Sequence, residues 1–488
     1  MRTGRREGHQ KRVCSQREQG SARGVRGNLV GRRVLVGVLA ALAIAGWLLV
    51  TLVLWMAKAL RPIADNYLNG ALAANGLLPG IVEYWETWSG SLFSYGLQIA
   101  LVGLPLAALP WGLSSAFPFL ATTVVVAGSM FVIAGSLVKR RTRVGHYVTF
   151  TLFVPLAMGL WWAYWWVPVA TTPDPSKVVL TRAQIITFWQ TVNVQYLVST
   201  ALLASLLVVC LRLPKERRWG RSLGLLAFGV LTGLSGPVLA LSVVFGAVLL
   251  PLGLAIANGA KGQAVREIAI IVVASSGLAL VAHGSPGNRE RLTLLNHGES
   301  RATPDVLAIV RALGRPFSDF TDAYLSLGAA LVVVAAASSA VVLWKTGMSI
   351  DGKAAFRYAA LLAGFSFVFA VVIRVGDLFA YDGIWHIFPV RLIAWWSLVL
   401  LGAGIGTLLV DHFEVVQLLP ASLFLLGASL ILIGTSVTFM ATAMNERLVT
   451  WNSGPAPIYL VSDIESGMWD AEWALLREIH GGPNRPVP

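Results

Sequence analysis

Long apolar runs constrain this chain more than any other feature of its sequence. A helix needs about 20 mostly apolar residues to cross a bilayer, and runs near that length recur along most of the chain. Hydrophobic residues make up 56% of the sequence and charged residues 13%, a balance that a soluble domain of this length could not bury. The predicted spans are 34–57, 115–138, 146–167, 193–212, 222–236, 238–257, 268–283, 323–344, 356–374, 391–410 and 417–440.

The runs are continuous rather than alternating, which favours helices over a β-barrel. We therefore expect an all-α polytopic membrane protein with about 11 transmembrane helices. The chain divides into a basic tail at 1–33, a transmembrane domain at 34–440 and a C-terminal tail at 441–488.

Positive charge indicates the orientation of these spans. The tail at 1–33 holds ten Lys and Arg residues against two Glu and has no hydrophobic periodicity, which predicts a disordered segment. It lacks the aromatic residues and folded motifs of nucleic-acid binding, so we expect it to contact membrane lipids and no nucleic acid. The short segments 139–143 and 212–221 are also basic. The positive-inside rule then places the N-terminus in the cytoplasm and the C-terminus outside.

This orientation places the long polar segments, at 58–114, 168–192, 284–322, 375–390 and 441–488, together on the outer face. The stretch 92–112 is apolar but interrupted by Pro105 and Pro110. A full span here would move the basic segment 139–143 outside, so we predict an interfacial or re-entrant segment within a long first outer loop.

Tryptophans cluster beside two of these loops. Trp161, Trp162, Trp165 and Trp166 precede one loop, and Trp395 and Trp396 follow another. Aromatic side chains anchor helices at the depth of the lipid headgroups, and this belt is the predicted role of all six.

The first candidate site is the outer loop that contains Asp65. A carboxylate is costly at a membrane edge and is often functional there, as a general base or a metal ligand. Glu83 and Glu86 are three residues apart and would share one face of a helix. Any divalent metal, Mg or Mn, would draw on Asp65, Glu83 and Glu86 at most. The alternative for Asp65 is a helix N-cap.

The second candidate is the segment from His283 to Arg291, which holds a Ser-Pro-Gly-Asn turn and the two arginines Arg289 and Arg291. Guanidinium groups bind phosphate with paired hydrogen bonds, and backbone N–H groups of a glycine turn add to such a site. A lipid-headgroup anchor and a plain turn stay open as alternatives.

The third candidate is the short loop with Arg374, Asp382 and His386. Its mixture of charges suits substrate binding, although Asp–Arg pairing could be purely structural and a histidine among aromatic residues is often a packed one. Trp88 and Trp189 are further candidates for substrate binding, and Trp189 or Trp385 could stack on a sugar ring.

These motifs resemble two families. A lone acidic residue in a long first outer loop, many spans and outer-face arginines resemble the GT-C superfamily of polyprenyl-phosphate-dependent membrane glycosyltransferases. More closely, the chain resembles the uncharacterised bacterial domain-of-unknown-function 6056 membrane family. The matching pieces are Ala64-Asp65-Asn66-Tyr67 followed by Thr87-Trp88-Ser89-Gly90, Ser285-Pro286-Gly287-Asn288 followed by Arg291, and the position of Trp189.

The resemblance implies a GT-C fold, catalysis by Asp65 and phosphate recognition by outer basic residues such as Arg289 or Arg291. It also implies a bacterial plasma membrane. The family tends to have Asp-Asp where this chain has Asp65-Asn66, which leaves one carboxylate there.

We therefore expect a glycosyltransferase that moves a hexose or pentose from a polyprenyl-phosphate donor to an envelope glycan or lipid on the outer face. Two alternatives stay open: a transporter or flippase of a lipid-linked substrate, and a non-catalytic envelope protein. Ion coupling would call for ionisable residues at mid-membrane, and the apolar runs hold almost none.

Overall fold

The computed structural model describes residues 33–55, 65–87, 89–109, 111–170, 190–213, 218–236, 261–289, 306–379 and 387–453. Within these ranges the chain is almost wholly helical, and nine helices are long and apolar enough to cross a membrane. The predicted all-α, multi-span architecture is therefore confirmed. The run at 238–257 lies outside the described residues, and the run at 222–236 falls in a helix of 16 residues, Arg218–Gly233. The total of about 11 spans stays a prediction.

The elements in chain order are as follows. Helix α1 is Arg33–Trp55, α2 is Asp65–Ala74, α3 is Leu77–Thr87, α4 is Leu92–Ala108 and α5 is Trp111–Gly135. Strand β1 is Val138–Arg140, and α6 joins Arg143–Val148, Thr149–Phe153 and Val154–Ala170. Helix α7 is Gln190–Arg212, α8 is Arg218–Gly233, α9 is Lys261–His283, α10 is Val306–Tyr324 and α11 is Leu327–Lys345. Strand β2 is Ser349–Ile350, and α12 is Gly352–Phe379, α13 is Ile387–His412 and α14 is Val415–Ser453.

The helices share one end that is rich in basic side chains, which we call the basic end. There β1 pairs antiparallel with β2, and Lys139 lies 3.2 Å from the Asp351 carboxylate. The backbone N–H of Ala354 and the nearby Lys139 hold the pKa of Asp351 below its ordinary value. Thr142 donates to the carbonyl of Thr346, which joins the same two turns. The basic segment 139–143 therefore lies beside the turn at 346–351. Arg212, which begins the basic segment 212–221, donates to the carbonyl of Val132 at the same end, so both basic segments share one end, as the positive-inside pattern predicts.

Helices α8 and α9 run parallel rather than antiparallel. Near the basic end Arg221 of α8 pairs with Glu267 of α9, at 2.6 and 2.7 Å. Further along, a Cβ added to Gly233 would lie 2.6 Å from the carbonyl of Ser275. The end of α8, at residue 236, and the start of α9, at residue 261, therefore lie at opposite ends of this helix pair. The chain between them has to cross back from one end to the other, as the span predicted at 238–257 would do.

The predicted first outer loop folds into three helices, α2, α3 and α4, at the end opposite the basic turns. We call this the polar-loop end. Helix α4 contains a π-helical turn, Ile99–Gly103, and α2 packs on that turn. The approach is close, since a Cβ on Gly103 would lie 2.2 Å from the carbonyl of Asn69. The predicted membrane-associated segment 92–112 is thus a 17-residue apolar helix held against its neighbours.

The prediction of an aromatic belt is wrong for the six tryptophans of α6 and α13. Trp161, Trp162, Trp166 and Trp395 are fully buried, and Trp165 and Trp396 are 2% exposed. They pack against each other, for example Trp161 on Trp395 with ring centres 5.5 Å apart. Facing helices turn these large side chains inward, where they form the core at the polar-loop end instead of contacting headgroups.

Candidate functional site

A line of neutral polar side chains, all buried except the half-buried Gln195, runs between α4 and α7. Asn69 of α2 contacts Gln98 of α4 at 3.5 Å and Thr191 of α7 at 3.3 Å, and Tyr84 of α3 donates to Asn69 at 3.1 Å. Gln98 donates to Gln195 of α7 at 2.9 Å. We call these five residues the amide seam.

Hydroxyl groups extend the amide seam toward the basic end. Ser94 lies one turn before Gln98, contacts Ser199 of α7 at 3.4 Å, and donates to the carbonyl of Ser235 at 2.9 Å. All three serines are buried. Burying unpaired polar groups costs several kcal/mol in hydrocarbon, so a membrane protein that assembles many of them in one place pairs them closely, as here.

Each of the two helices that flank the amide seam carries a π-helical turn beside it, Ile99–Gly103 in α4 and Asn193–Val198 in α7. Such turns rotate the side chains that follow and are frequent at functional sites. On α7 the result is two distinct faces. Gln195 and Ser199 face α4, whereas Val192, Leu197 and Ala201 join the main apolar core.

Asp65 is the first residue of α2, four positions before Asn69. Positions four apart lie on one face of a helix, about one turn from each other. The backbone of α2 therefore begins with Asp65 on the face that carries Asn69. The side chain of Asp65 lies outside what the structure describes, so both of its predicted roles, base and N-cap, stay predictions.

The turn after α3 meets the ends of α8 and α9. A Cβ on Gly90 would lie 2.1 Å from the carbonyl of Ala282, so this position admits only glycine. Gly236 has a φ of +109° and lies against Ser91. Gly90, the last residue of the Thr-Trp-Ser-Gly segment, thus lies against Ala282, three residues before the Ser-Pro-Gly-Asn segment, at the polar-loop end.

The second predicted segment forms a compact turn there. Ser285 is buried and its hydroxyl accepts from the N–H of Asn288 at 3.3 Å. Asn288 donates to the carbonyl of His283 at 2.9 Å. Arg289 is exposed at this turn, where a phosphate group would have access to it, and Arg291 lies outside the described residues.

The side chain of Arg374 on α12 is largely buried and faces a carboxylate. Its Nε and Nη2 donate to Asp319 of α10 at 2.8 and 3.1 Å. The Asp–Arg pairing expected within the loop is thus found instead between α12 and α10 for Arg374. Trp88, Trp189, Asp382 and His386 lie outside the described residues, so their predicted roles stay predictions.

Glu83 and Glu86 are exposed on α3, on either side of the buried Tyr84. Within the described part of the chain no three His, Cys, Asp or Glu side chains converge as a metal site would need. The proposed contribution of these two residues to a metal site stays a prediction, because it includes Asp65.

A set of buried hydrogen-bond donors lies in the tryptophan core, and sequence reasoning missed it. The guanidinium of Arg391 stacks on Trp165, 4.6 Å from the ring centre. Among the described residues the Nε of Arg391 and the indole Nε1 of Trp161, Trp395 and Trp396 have no hydrogen-bond partner. We call these four groups the donor cluster. Indole and guanidinium groups donate and do not accept, so only an acceptor could pair with the groups of the donor cluster.

In the sequence, the only signal for Arg391 and Gln195 is their position next to candidate segments. Arg391 follows the loop with Asp382 and His386, and Gln195 lies in the polar entrance to α7. Neither position is unusual by itself. Comparison with known proteins adds no further constraint, since no family model, curated protein or solved structure matches the chain.

Proposed function

We propose that the protein is a membrane glycosyltransferase that moves a sugar from a polyprenyl-phosphate donor to an acceptor hydroxyl at the polar-loop end. The observation that carries this proposal is the donor cluster. Buried polar groups are nearly always paired, and a phosphate offers only acceptors to Arg391 and the indoles. Arg289, exposed at the turn after α9 at the same polar-loop end, is a second cation available to such a donor.

The amide seam supports the sugar part of the proposal. Hydroxyl groups both donate and accept, and the amide and hydroxyl side chains of Asn69, Gln98 and Tyr84 do the same. The contacts of Asn69 with Gln98 and Thr191 are long, 3.5 and 3.3 Å. Replacing them with hydrogen bonds to a sugar would therefore cost little binding free energy. The seam is neutral, which suits a polyol better than an ion.

Asp65 supplies the chemistry in this proposal. The acceptor hydroxyl gives its proton to the Asp65 carboxylate, and the acceptor oxygen forms a bond to the anomeric carbon. The bond from that carbon to the phosphate oxygen breaks, and the phosphate leaves with the electron pair. The cations stabilise the leaving charge. A general base contributes about a hundred- to ten-thousandfold to such a step.

The test is the substitution Asp65→Asn in the full chain, reconstituted in vesicles with polyprenyl phosphate carrying a radiolabelled hexose or pentose. Transfer should fall by about a hundredfold or more, while insertion and thermal stability stay at wild-type values. Glu414→Gln, an exposed carboxylate at the basic end, is the matched control and should transfer normally. Wild-type transfer by the Asp65→Asn variant would reject the base.

One observation also favours a second candidate, a carrier of a lipid-linked substrate. The amide seam and the serines beyond it form a neutral polar line along α7, about 12 Å from Thr191 to Ser199 by helix rise. Movement of labelled donor across the vesicle membrane by wild-type protein, with no transfer to any acceptor, would assign that function instead.

A further inference from the structure

Two arginines cap the C-terminal end of α5 at the basic end. Arg212, the last residue of α7, donates to the carbonyl of Val132 at 2.9 Å. Arg141, in the turn after β1, donates to the carbonyl of Gly135 at 3.4 Å. The two carbonyls between them accept from the backbone N–H groups of residues 136 and 137. All four terminal carbonyls of α5, which have no partner within the helix, are thereby paired.

This capping gathers two positive charges. Val132 and Gly135 are three residues apart on one helical turn, about 5 Å along the axis, so guanidinium groups bound to both lie within about 10 Å of each other. Arg141 is close enough to act on the charge of Arg212. Each guanidinium has five N–H donors, and the capping bond uses one of them.

Arg212 also lies near α12, since Tyr358 is within electrostatic reach of it. Arg357 precedes Tyr358 in the chain and brings a third arginine to this part of α12. The three arginines are exposed, and within the described residues neither Arg141 nor Arg212 has a carboxylate at salt-bridge distance. The nearby carboxylate, Asp351, is already engaged by Lys139. The end of α5 thus carries two arginines with no described carboxylate at salt-bridge distance, while Asp351 interacts with Lys139 and with Arg357.

An apolar surface adjoins these charges. Val209, nearly one turn before Arg212 on α7, is 47% exposed, and Leu202, two turns further, is 36% exposed. In a membrane-spanning helix such side chains face acyl chains. A ligand that binds here therefore has an anionic head next to the arginines and an apolar tail along α7.

We propose that Arg141 and Arg212, with Arg357 beside them, form a specific site for the phosphate of an anionic phospholipid at the basic end. The two guanidiniums clamp the phosphate oxygens with charge-assisted hydrogen bonds. The α5 terminus positions both arginines, so the lipid ties α5, α7 and α12 together. The site is independent of the glycosyltransferase proposal, since it lies at the opposite end of the helices.

The test uses the full chain in micelles of a neutral detergent, with phosphatidylglycerol, phosphatidylcholine of the same acyl chains, or inorganic phosphate added. Native mass spectrometry counts the bound lipids, and thermal unfolding measures stabilisation. The double substitution R141Q/R212Q should weaken phosphatidylglycerol binding about thirtyfold, from about fivefold per arginine. The control R140Q/R143Q removes the same charge from exposed positions at the same end and should weaken it about threefold or less.

The outcomes separate the sources of the anion. Stabilisation by phosphatidylglycerol that phosphatidylcholine and inorganic phosphate do not reproduce, and that is lost in R141Q/R212Q alone, supports the lipid site. Equal losses in both double variants would mean diffuse attraction to the surface and would overturn the proposal. A variant R141Q/R212Q that is less stable but keeps its full response to phosphatidylglycerol would show helix capping alone, and would overturn it too.

Discussion

At the scale of the residue, the ion pair of Arg374 with Asp319 joins α12 to α10 with two hydrogen bonds. Both side chains are 14% exposed. Arg374→Gln leaves a carboxylate that is largely removed from water without its partner, and we expect a loss of about 2 kcal/mol in the free energy of unfolding. Thermal or denaturant unfolding of the reconstituted protein measures it.

The double variant D319N/R374Q is the control for that prediction, because it removes both charges. It should regain much of the lost stability, giving a coupling energy of about 1 kcal/mol or more. If the stability losses of the two single variants simply add in the double variant, Arg374 and Asp319 do not stabilise each other. If Arg374→Gln weakens binding of the polyprenyl-phosphate donor and leaves stability unchanged, Arg374 contacts the substrate instead.

The individual residues of the candidate site are the feature that the sequence predicts least well. Asp65 is a candidate because a carboxylate is costly at a membrane edge, and Arg289 because guanidinium groups bind phosphate; both arguments need only the residue type and its place in a loop. The amide seam was not predicted, because Asn69, Gln98 and Gln195 are ordinary polar residues until three segments bring them together. Arg391 is also ordinary in the sequence. It stands out because, among the described residues, its Nε and the indole N–H groups of the tryptophan core are buried without hydrogen-bond partners.

At the scale of the element, α13 packs on α11 through two glycines four residues apart. A Cβ on Gly402 would lie 2.4 Å from the carbonyl of Val333, and one on Gly406 would lie 2.3 Å from that of Ala337. Small residues at this spacing let membrane helices approach closely.

Gly402→Ala and Gly406→Ala should each force α13 away from α11 and lower stability by about 1–3 kcal/mol, measured as a fall in the unfolding temperature. Gly364→Ala on α12 is the matched control, since nothing lies within 4 Å of its added Cβ. That change should be neutral or stabilise the helix slightly. Wild-type unfolding temperatures for both α13 variants would contradict the close packing.

Helices themselves were predicted well, because the signal is local. The length and hydropathy of each run are properties of neighbouring residues, and hydrocarbon leaves the backbone few alternatives. The π-helical turns of α4 and α7 were not predicted, since they depend on what each helix packs against. The burial of Trp161 and Trp395 was mispredicted for the same reason.

At the scale of the whole molecule, the structure separates a basic end from a polar-loop end. In a background with Cys14→Ser and Cys210→Ser, single cysteines at positions 65 and 289 should react with a membrane-impermeant maleimide from the same side. A cysteine at the exposed position 140 should react only from the other side, because the helices separate the two ends. Accessibility in sealed vesicles of known orientation measures this.

Labelling of positions 65 and 289 from opposite sides would contradict both the fold and the proposed function. Labelling of position 140 together with them would contradict the separation of the two ends. The side from which position 140 is labelled also tests the prediction that the basic end and the N-terminus face the cytoplasm.

The sequence by itself determined that this chain is a bundle of membrane-spanning helices with its basic turns gathered at one end. Hydrophobic length and charge act over a few residues, so they can be read without knowledge of the partners. Tertiary structure decided which tryptophans are buried, which arginine meets Asp319, and that the amide seam and the donor cluster exist. Those features arise from contacts between residues as far as 234 positions apart, as between Trp161 and Trp395. Such contacts are set by helix packing rather than by local pattern.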